Sequence, residues 1–275
     1  MTASFSGQTI IITGASAGIG EACVRQFARA GAAVVLAARG AERLERLANA
    51  LRADGADALA VPTDVSNPED CDALIERAAA HFGRIDGLVN NAGANMRGGI
   101  ESYTAAQLAS VVQINLTAPI VLTRLALPHL HKTGGSVVNV ASLAGRVPVT
   151  HEAVYSATKF GLRAFTMAMA EELREAGVRM SVVSPGPVDT GFIMEDIDHV
   201  PDLVFSQPMS TSEEIASLVL ACAADGRVER MQPRLGGHLA TLAYVFPALR
   251  RALLPVMERK GRRNKARFVA RNRGG

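Results

Sequence analysis

Six short apolar runs, at residues 9–13, 33–38, 58–61, 87–90, 136–141 and 180–184, alternate with stretches of helical length at 19–30, 41–53, 68–82, 104–131 and 152–175. The runs are rich in Val, Ile and Leu, with no polar alternation, so each reads as a strand buried on both faces. Strands of that kind, joined in series by helices, form a parallel sheet covered on both sides. The rhythm holds without a linker or composition break to about Gly186. The expectation is an α/β fold, a doubly wound parallel sheet of Rossmann type in a single domain. The main domain is placed over residues 1–235, its rhythm loosening into an apolar-studded segment at about 187–210. Residues 236–275 form a helical C-terminal extension ending in a basic tail. With 275 residues, 48% of them hydrophobic, the chain has ample material for such a core.

The first strand runs into the first helix through Gly14-Ala15-Ser16-Ala17-Gly18-Ile19-Gly20. A Cβ at Gly14 or Gly18 would obstruct the tight turn, or the approach of a pyrophosphate to the backbone N–H groups. The N-terminus of the following helix offers partial positive charge to the same phosphates. Glycines at such a junction can also simply make a turn. Strand, turn and helix in this order favour a dinucleotide.

Further along stand Asn90-Asn91-Ala92-Gly93, Ser142, Tyr155 with Lys159 four residues later, and Pro185-Gly186. Together with the Gly-x3-Gly-x-Gly turn, this set resembles the classical short-chain dehydrogenase/reductase family from about Ser6 to Thr190. The resemblance implies an oxidoreductase acting on CH–OH and C=O groups with NAD(P). It implies cofactor contacts at Gly14, Ser16, Gly18, Ile19 and Gly20, and an adenine contact at Asp64 and Val65. Asn91 and Gly93 would line the cleft, and Tyr155 and Lys159 would also meet the cofactor. Pro185, Gly186, Val188 and Thr190 would border the nicotinamide. It also implies that Asn115 kinks a helix and supports a proton relay, and that the protein forms a homodimer or homotetramer.

The catalytic residues can be reasoned from chemistry as well. Tyr155 and Lys159, four apart on a helix, face one side. A tyrosine with its ordinary pKa of about 10 is a poor base near neutrality, and a neighbouring ammonium, helped by the cofactor's oxidised nicotinamide, is expected to lower it. Tyr155 then serves as acid toward a ketone and base toward an alcohol, with Ser142 holding the substrate oxygen. Taken singly, a Tyr-x3-Lys pair and a Ser after a strand are ordinary, the latter as a cap. No Gly-x-Ser-x-Gly elbow surrounds Ser142, which argues against a hydrolase. The six histidines show no metal-ligand spacing, and no metal is expected.

The second strand ends Ala37-Ala38-Arg39, without the carboxylate that would bind both ribose hydroxyls of NAD. Arg39 offers a planar fork for a 2′-phosphate, so NADP(H) is preferred and NAD(H) kept as the alternative. A solvated loop charge is the plain reading of the same residue. The leading function is NADPH-linked reduction of an apolar ketone, or the reverse. The rivals are an NAD(H)-linked alcohol dehydrogenase and a dinucleotide-sensing protein without turnover. The resemblance also implies that the catalytic domain of residues 1–235 carries a mobile substrate lid at about 187–210. Phe192, Ile193, Met194, Ile197, Val200, Leu203, Val204 and Phe205 suit such an apolar lid, or equally a core against the sheet.

Three scattered cysteines, Cys23, Cys71 and Cys222, fit no disulfide or zinc pattern, and no secretory leader is legible at residues 1–12. A cytoplasmic location is expected, with peripheral contact at a membrane surface left open. Residues 250–275 carry ten Lys/Arg against Glu258, a net +9 that leaves −6 for the first 249. The preceding apolar stretch, residues 239–257, is interrupted by Pro247, Arg250, Arg251 and Pro255 and is no transmembrane span. Three readings stand for this end: a cap on the lid, an oligomer contact, or a foot on an anionic membrane. Nucleic acid is the weakest partner, since only Phe268 interleaves the charges.

Overall fold

A computed structural model describes residues 4–194 and 196–273. Seven parallel strands form one sheet in the order β3-β2-β1-β4-β5-β6-β7. They are β1 (Thr9–Thr13), β2 (Ala33–Ala38), β3 (Ala58–Pro62), β4 (Gly87–Asn90), β5 (Ser136–Val140), β6 (Arg179–Pro185) and β7 (Glu229–Gln232). Six coincide with the expected apolar runs. The seventh, Glu-Arg-Met-Gln, is a half-buried edge strand whose polar residues carry no strand signal.

Helices α1 (Gly18–Arg29), α2 (Ala41–Ala53) and α8 (Ser212–Asp225) cover one face. On the other lie α3 (Pro68–Phe82), α5 (Ala118–Thr133) and α6 (Ala153–Glu172). The two-residue period of β1 divides its side chains between the faces. Ile10 and Ile12 join Phe27, Leu44 and Ile215, whereas Ile11 joins Leu74, Leu88 and Leu122. Burying each such side chain contributes about 1.5–3 kcal/mol, which fixes the strand register.

The helix expected over residues 104–131 is divided. Helix α4 (Ala105–Val112) starts from a capping box at Thr104 and Gln107 and passes through one π-helical turn, Gln113–Thr117, into α5. Pro119 causes this break. It has no N–H to give the Asn115 carbonyl four residues earlier, and Ala118 N–H reaches back five residues to Gln113 instead.

After β6 the chain forms the short helix α7 (Gly191–Met194) and a 3₁₀ turn, Asp202–Ser206. After β7, α9 (Arg234–Val245) leads into α10 (Pro247–Arg273), which lies along that turn. Ile193, Ile197, Val200 and Phe205 form a small separate core, closed by Phe268 and Val269 of α10. These four residues of the segment after β6 thus fill a core of their own with α10 packed upon it, whereas Phe192 is left 42% exposed.

Candidate active site

The strand order reverses between β1 and β4, and the chain opens a crevice there beyond the carboxyl ends of the strands. Gly14 and Gly18 both have positive φ, +64° and +53°. A Cβ on Gly14 would stand 2.8 Å from Asn91 Nδ2. A Cβ on Gly20 would stand 2.1 Å from the Gly14 carbonyl oxygen, so Gly20 serves the packing of α1 against the turn. Ala17 caps α1 without a side-chain acceptor, which leaves the first-turn N–H groups to an anion. Thr13 and Asn91 hold the turn to β4. Thr13 Oγ1 accepts from the N–H groups of Asn91 and Ala92, both at 3.0 Å, and Asn91 Nδ2 donates to Thr13 O at 2.9 Å. A strand-end threonine is too ordinary a signal for Thr13 to have been singled out.

A cavity of about 620 Å³ runs from this turn over the ends of β4, β5 and β6. Gly14, Gly18, Ile19, Arg39, Asn91, Gly93, Pro185, Gly186, Val188 and Thr190 line it, with Ser142, Tyr155 and Lys159. The glycine cradle, the uncapped helix end and Arg39 fit a phosphorylated dinucleotide. Ser16, Gly20, Asp64 and Val65 stand off that wall. Asp64 is engaged with Ser66, accepting from its N–H at 2.9 Å and its hydroxyl at 2.7 Å. These bonds hold its carboxyl below the usual range, with the Arg39 charge adding a little. Val65 is buried in the core.

Ser142 follows β5, and its Oγ accepts from Ala144 N–H at 3.1 Å while also hydrogen-bonding Tyr155. It is a cap and a site residue at once. Lys159 is buried, donates from Nζ to the Val140 carbonyl at 2.9 Å, and sits 5.6 Å from the centroid of the Tyr155 ring. The ammonium by itself does not lower the tyrosine pKa. Burial and the Glu152 carboxylate push Tyr155 up to about 12, against the Ser142 hydrogen bond and the Arg97 charge. Burial brings Lys159 down to about 8. Loss of water around the phenol outweighs its charged neighbours, and the ammonium is directed at a carbonyl and the ring instead of the hydroxyl.

Asn115, fully buried in the π turn, fastens the loop after β4. Its Oδ1 accepts from Ala94 N–H and its Nδ2 donates to Ala94 O, both at 2.8 Å, and Nδ2 also reaches Thr158 Oγ1 at 3.2 Å. Gly93 lies between it and the lysine: a Cβ there would be 3.4 Å from Asn115 Oδ1 and 3.8 Å from Lys159 Nζ.

One buried group escaped the sequence reading. Arg97 pairs with Glu152 at 3.1 Å, each about 6% exposed, and bonds the Phe192 carbonyl at 3.1 Å and Asp196 at 3.4 Å. Its guanidinium also lies 5.2 Å from the centroid of the Phe192 ring, which is 6.2 Å from that of Tyr155. Arg97 therefore joins the loop after β4, the start of α6 and the segment around α7. Its partners are 55 and 99 residues away, and Met-Arg-Gly-Gly reads as a solvated loop.

The family model described as short chain dehydrogenase matches residues 8–200. The chain belongs to the short-chain dehydrogenase/reductase family. It is an oxidoreductase of that family, acting on CH–OH and C=O groups with NAD(P). The ketoacyl reductase HetN of Nostoc sp. is 40% identical over 219 residues, 79% of this chain and 75% of that protein. The 11-beta-hydroxysteroid dehydrogenase-like 2 of Arabidopsis thaliana is 34% identical over 209 residues, 74% of this chain and 68% of that one. Among solved structures, a metagenomic short-chain oxidoreductase in complex with NADP is 33% identical, with a TM-score of 0.72 over 83% of this chain and 98% of its own. The L-sorbose reductase of Gluconobacter frateurii, complexed with NADPH and L-sorbose, is 27% identical, with a TM-score of 0.77 over 84% of this chain and 97% of its own.

Proposed function

We propose that this oxidoreductase is an NADPH-linked carbonyl reductase for apolar ketones. The carrying observation is the single cavity. It begins at the glycine cradle, passes Ser142, Tyr155 and Lys159, and ends in an apolar wall that includes Val147, Val149, Phe192, Val204, Leu239 and Leu253. A sugar would leave its hydroxyls unpaired against that wall. Arg39, exposed at the end of β2 where no carboxylate stands, supports NADP(H) over NAD(H). The NADP and NADPH complexes of the structural relatives support the same choice.

Bound NADPH supplies the hydride. Tyr155, with a pKa raised to about 12, is protonated across the neutral range and gives its proton to the ketone oxygen as charge develops there. The Ser142 hydroxyl donates to the same oxygen and holds the carbonyl carbon toward the cofactor cradle. Lys159 keeps a positive charge beside the site and would hold the ribose of a bound cofactor. Asn115, beside it across Gly93, supports return of a proton to Tyr155. A raised pKa keeps the proton on the tyrosine across the neutral range, so the form that donates is the populated one, which is the reason for naming reduction as the working direction. The exposed Val112 and Ile120 of α4 and α5 support self-association as a homodimer or homotetramer.

The test is NADPH absorbance with a panel of apolar ketones, run beside NADH. Wild-type turnover is expected with NADPH preferred, and Tyr155→Phe should lose about 10²–10⁴-fold in turnover while binding NADPH normally. Near-normal reduction by that variant would sink the role of Tyr155. A preference for NADH, or no oxidation with any ketone, would overturn the cofactor or substrate assignment respectively.

A further inference from the structure

The two C-terminal helices present two chemically different surfaces. The inner side of α10 is fixed to the lid: Asn264 Nδ2 donates to Phe205 O at 2.9 Å, Lys265 Nζ donates to Val200 O at 2.7 Å, and the Phe205 and Phe268 rings are 5.7 Å apart. The outer side is largely uncovered, apart from the Tyr244 ring, which meets that of Phe160 in α6 at 5.2 Å. Around the α9–α10 corner, Tyr244, Val245 and Phe246 are 54–59% exposed, and Val256 is 65% exposed. Leu239, Leu242 and Leu253 belong both to this exposed surface and to the wall of the catalytic cavity. On this side the cavity wall therefore reaches the surface through leucines, with Arg250 beside them.

Beyond this surface, Val256, Arg259, Lys260, Arg263 and Arg267 share one shallow concavity, their spacing placing them along a single stripe of α10. Among the described residues, no carboxylate lies within ion-pair distance of Arg251, Arg259, Lys260, Arg263 or Arg267. An exposed apolar surface continuous with an unpaired cationic stripe is the pattern of a segment lying in a membrane interface.

We propose that α9 and α10 dock this protein on an anionic bilayer and open the substrate cavity to it, so that the substrate is a lipophilic ketone or alcohol partitioned in the leaflet. The inference rests on the carbonyl-reductase reading for its substrate and on the surface alone for its docking. A second copy of the chain is the competing occupant. A two-fold contact through this surface would bring two cationic stripes together, an arrangement that a phosphate-bearing surface relieves.

The experiment uses the purified full chain with sedimentable vesicles of phosphatidylcholine, with or without about one third phosphatidylglycerol. At low salt, cosedimentation is expected with the anionic vesicles and at least about tenfold less with neutral ones, falling as salt screens the charges. The pairs Val245→Asp with Val256→Asp, and Arg259→Glu with Arg263→Glu, should each weaken binding about tenfold or more. NADPH binding reports that the sheet is folded in both. Negligible sedimentation of the wild type on anionic vesicles at low salt overturns the proposal. So does binding unchanged by either pair, or a solution dimer that the Asp pair disperses without any vesicle binding. Vesicle sedimentation needs no turnover, so failure of the ketone panel would leave this result standing and remove only the substrate.

Discussion

Lys159 shows how burial sets the chemistry of a single side chain. Among the described residues its ammonium has one hydrogen-bond acceptor, the Val140 carbonyl, and it loses enough hydration for its pKa to fall to about 8. Between that value and the ordinary one near 10.5, the unfolded chain binds this proton and the folded chain does not. Cofactor-free protein should therefore gain stability from this group as pH rises through that window, and lose it as pH falls through about 8. The size is on the order of 3 kcal/mol. Denaturant midpoints of wild type and Lys159→Met, taken at intervals across the window, should converge toward its upper end. Parallel curves would show that Lys159 keeps its proton. At this scale the sequence was informative wherever chemistry demands one residue type: the glycine cradle, Ser142, Tyr155 and Lys159 all meet on one cavity. It was silent on Arg97 and Glu152, whose pairing depends on where three separate loops arrive.

Arg97 acts between elements, tying α6 to the lid through Glu152 and the Phe192 carbonyl. Burial raises the Glu152 pKa while Arg97 draws it back, and the resulting carboxylate pushes Tyr155 upward. Glu152→Gln keeps the shape and removes the charge. Leaving Arg97 buried with only the partly exposed Asp196 as a charged partner should cost about 3 kcal/mol, seen as a lower melting temperature. The same change should lower the Tyr155 pKa, because the carboxylate is one of the two causes that raise it. Phenolate absorbance against pH, with Tyr155→Phe as the blank for Tyr103 and Tyr244, reads that shift directly. An unmoved titration would mean that burial alone sets the tyrosine. Element by element, the legible parts were those whose pattern is local, such as the six apolar strands. Strand β7 and the π turn at Asn115 were not, because an edge strand needs no apolar run and Pro119 acts on a carbonyl one turn away.

For the molecule as a whole, the charge asymmetry was plain in the sequence, −6 before Arg250 and +9 after it, but its setting was not. Composition could not tell a cap from a loose tail, since that depends on how closely α10 approaches the lid. Gly261 decides it. This buried glycine lies where α10 crosses the 3₁₀ turn, and a Cβ would come 1.8 Å from the Asp202 carbonyl oxygen. The obstructing atom is backbone, so the helix or the lid must move. In an isolated helix Gly→Ala is favourable by about 1 kcal/mol, so intrinsic propensity predicts the opposite sign from packing. Gly261→Ala should therefore separate α10 from Phe205 and disturb the apolar wall built by Val204, Leu253 and Met257. The glycine cradle and Arg39, held by β1 and β2, should not feel it. The expected result is a KM for an apolar ketone raised about tenfold, an NADPH Kd unchanged, and a lower melting temperature, the loss falling in the usual range of about 1–3 kcal/mol for overpacking. An unchanged KM with a higher melting temperature would show that α10 does not form part of the substrate site.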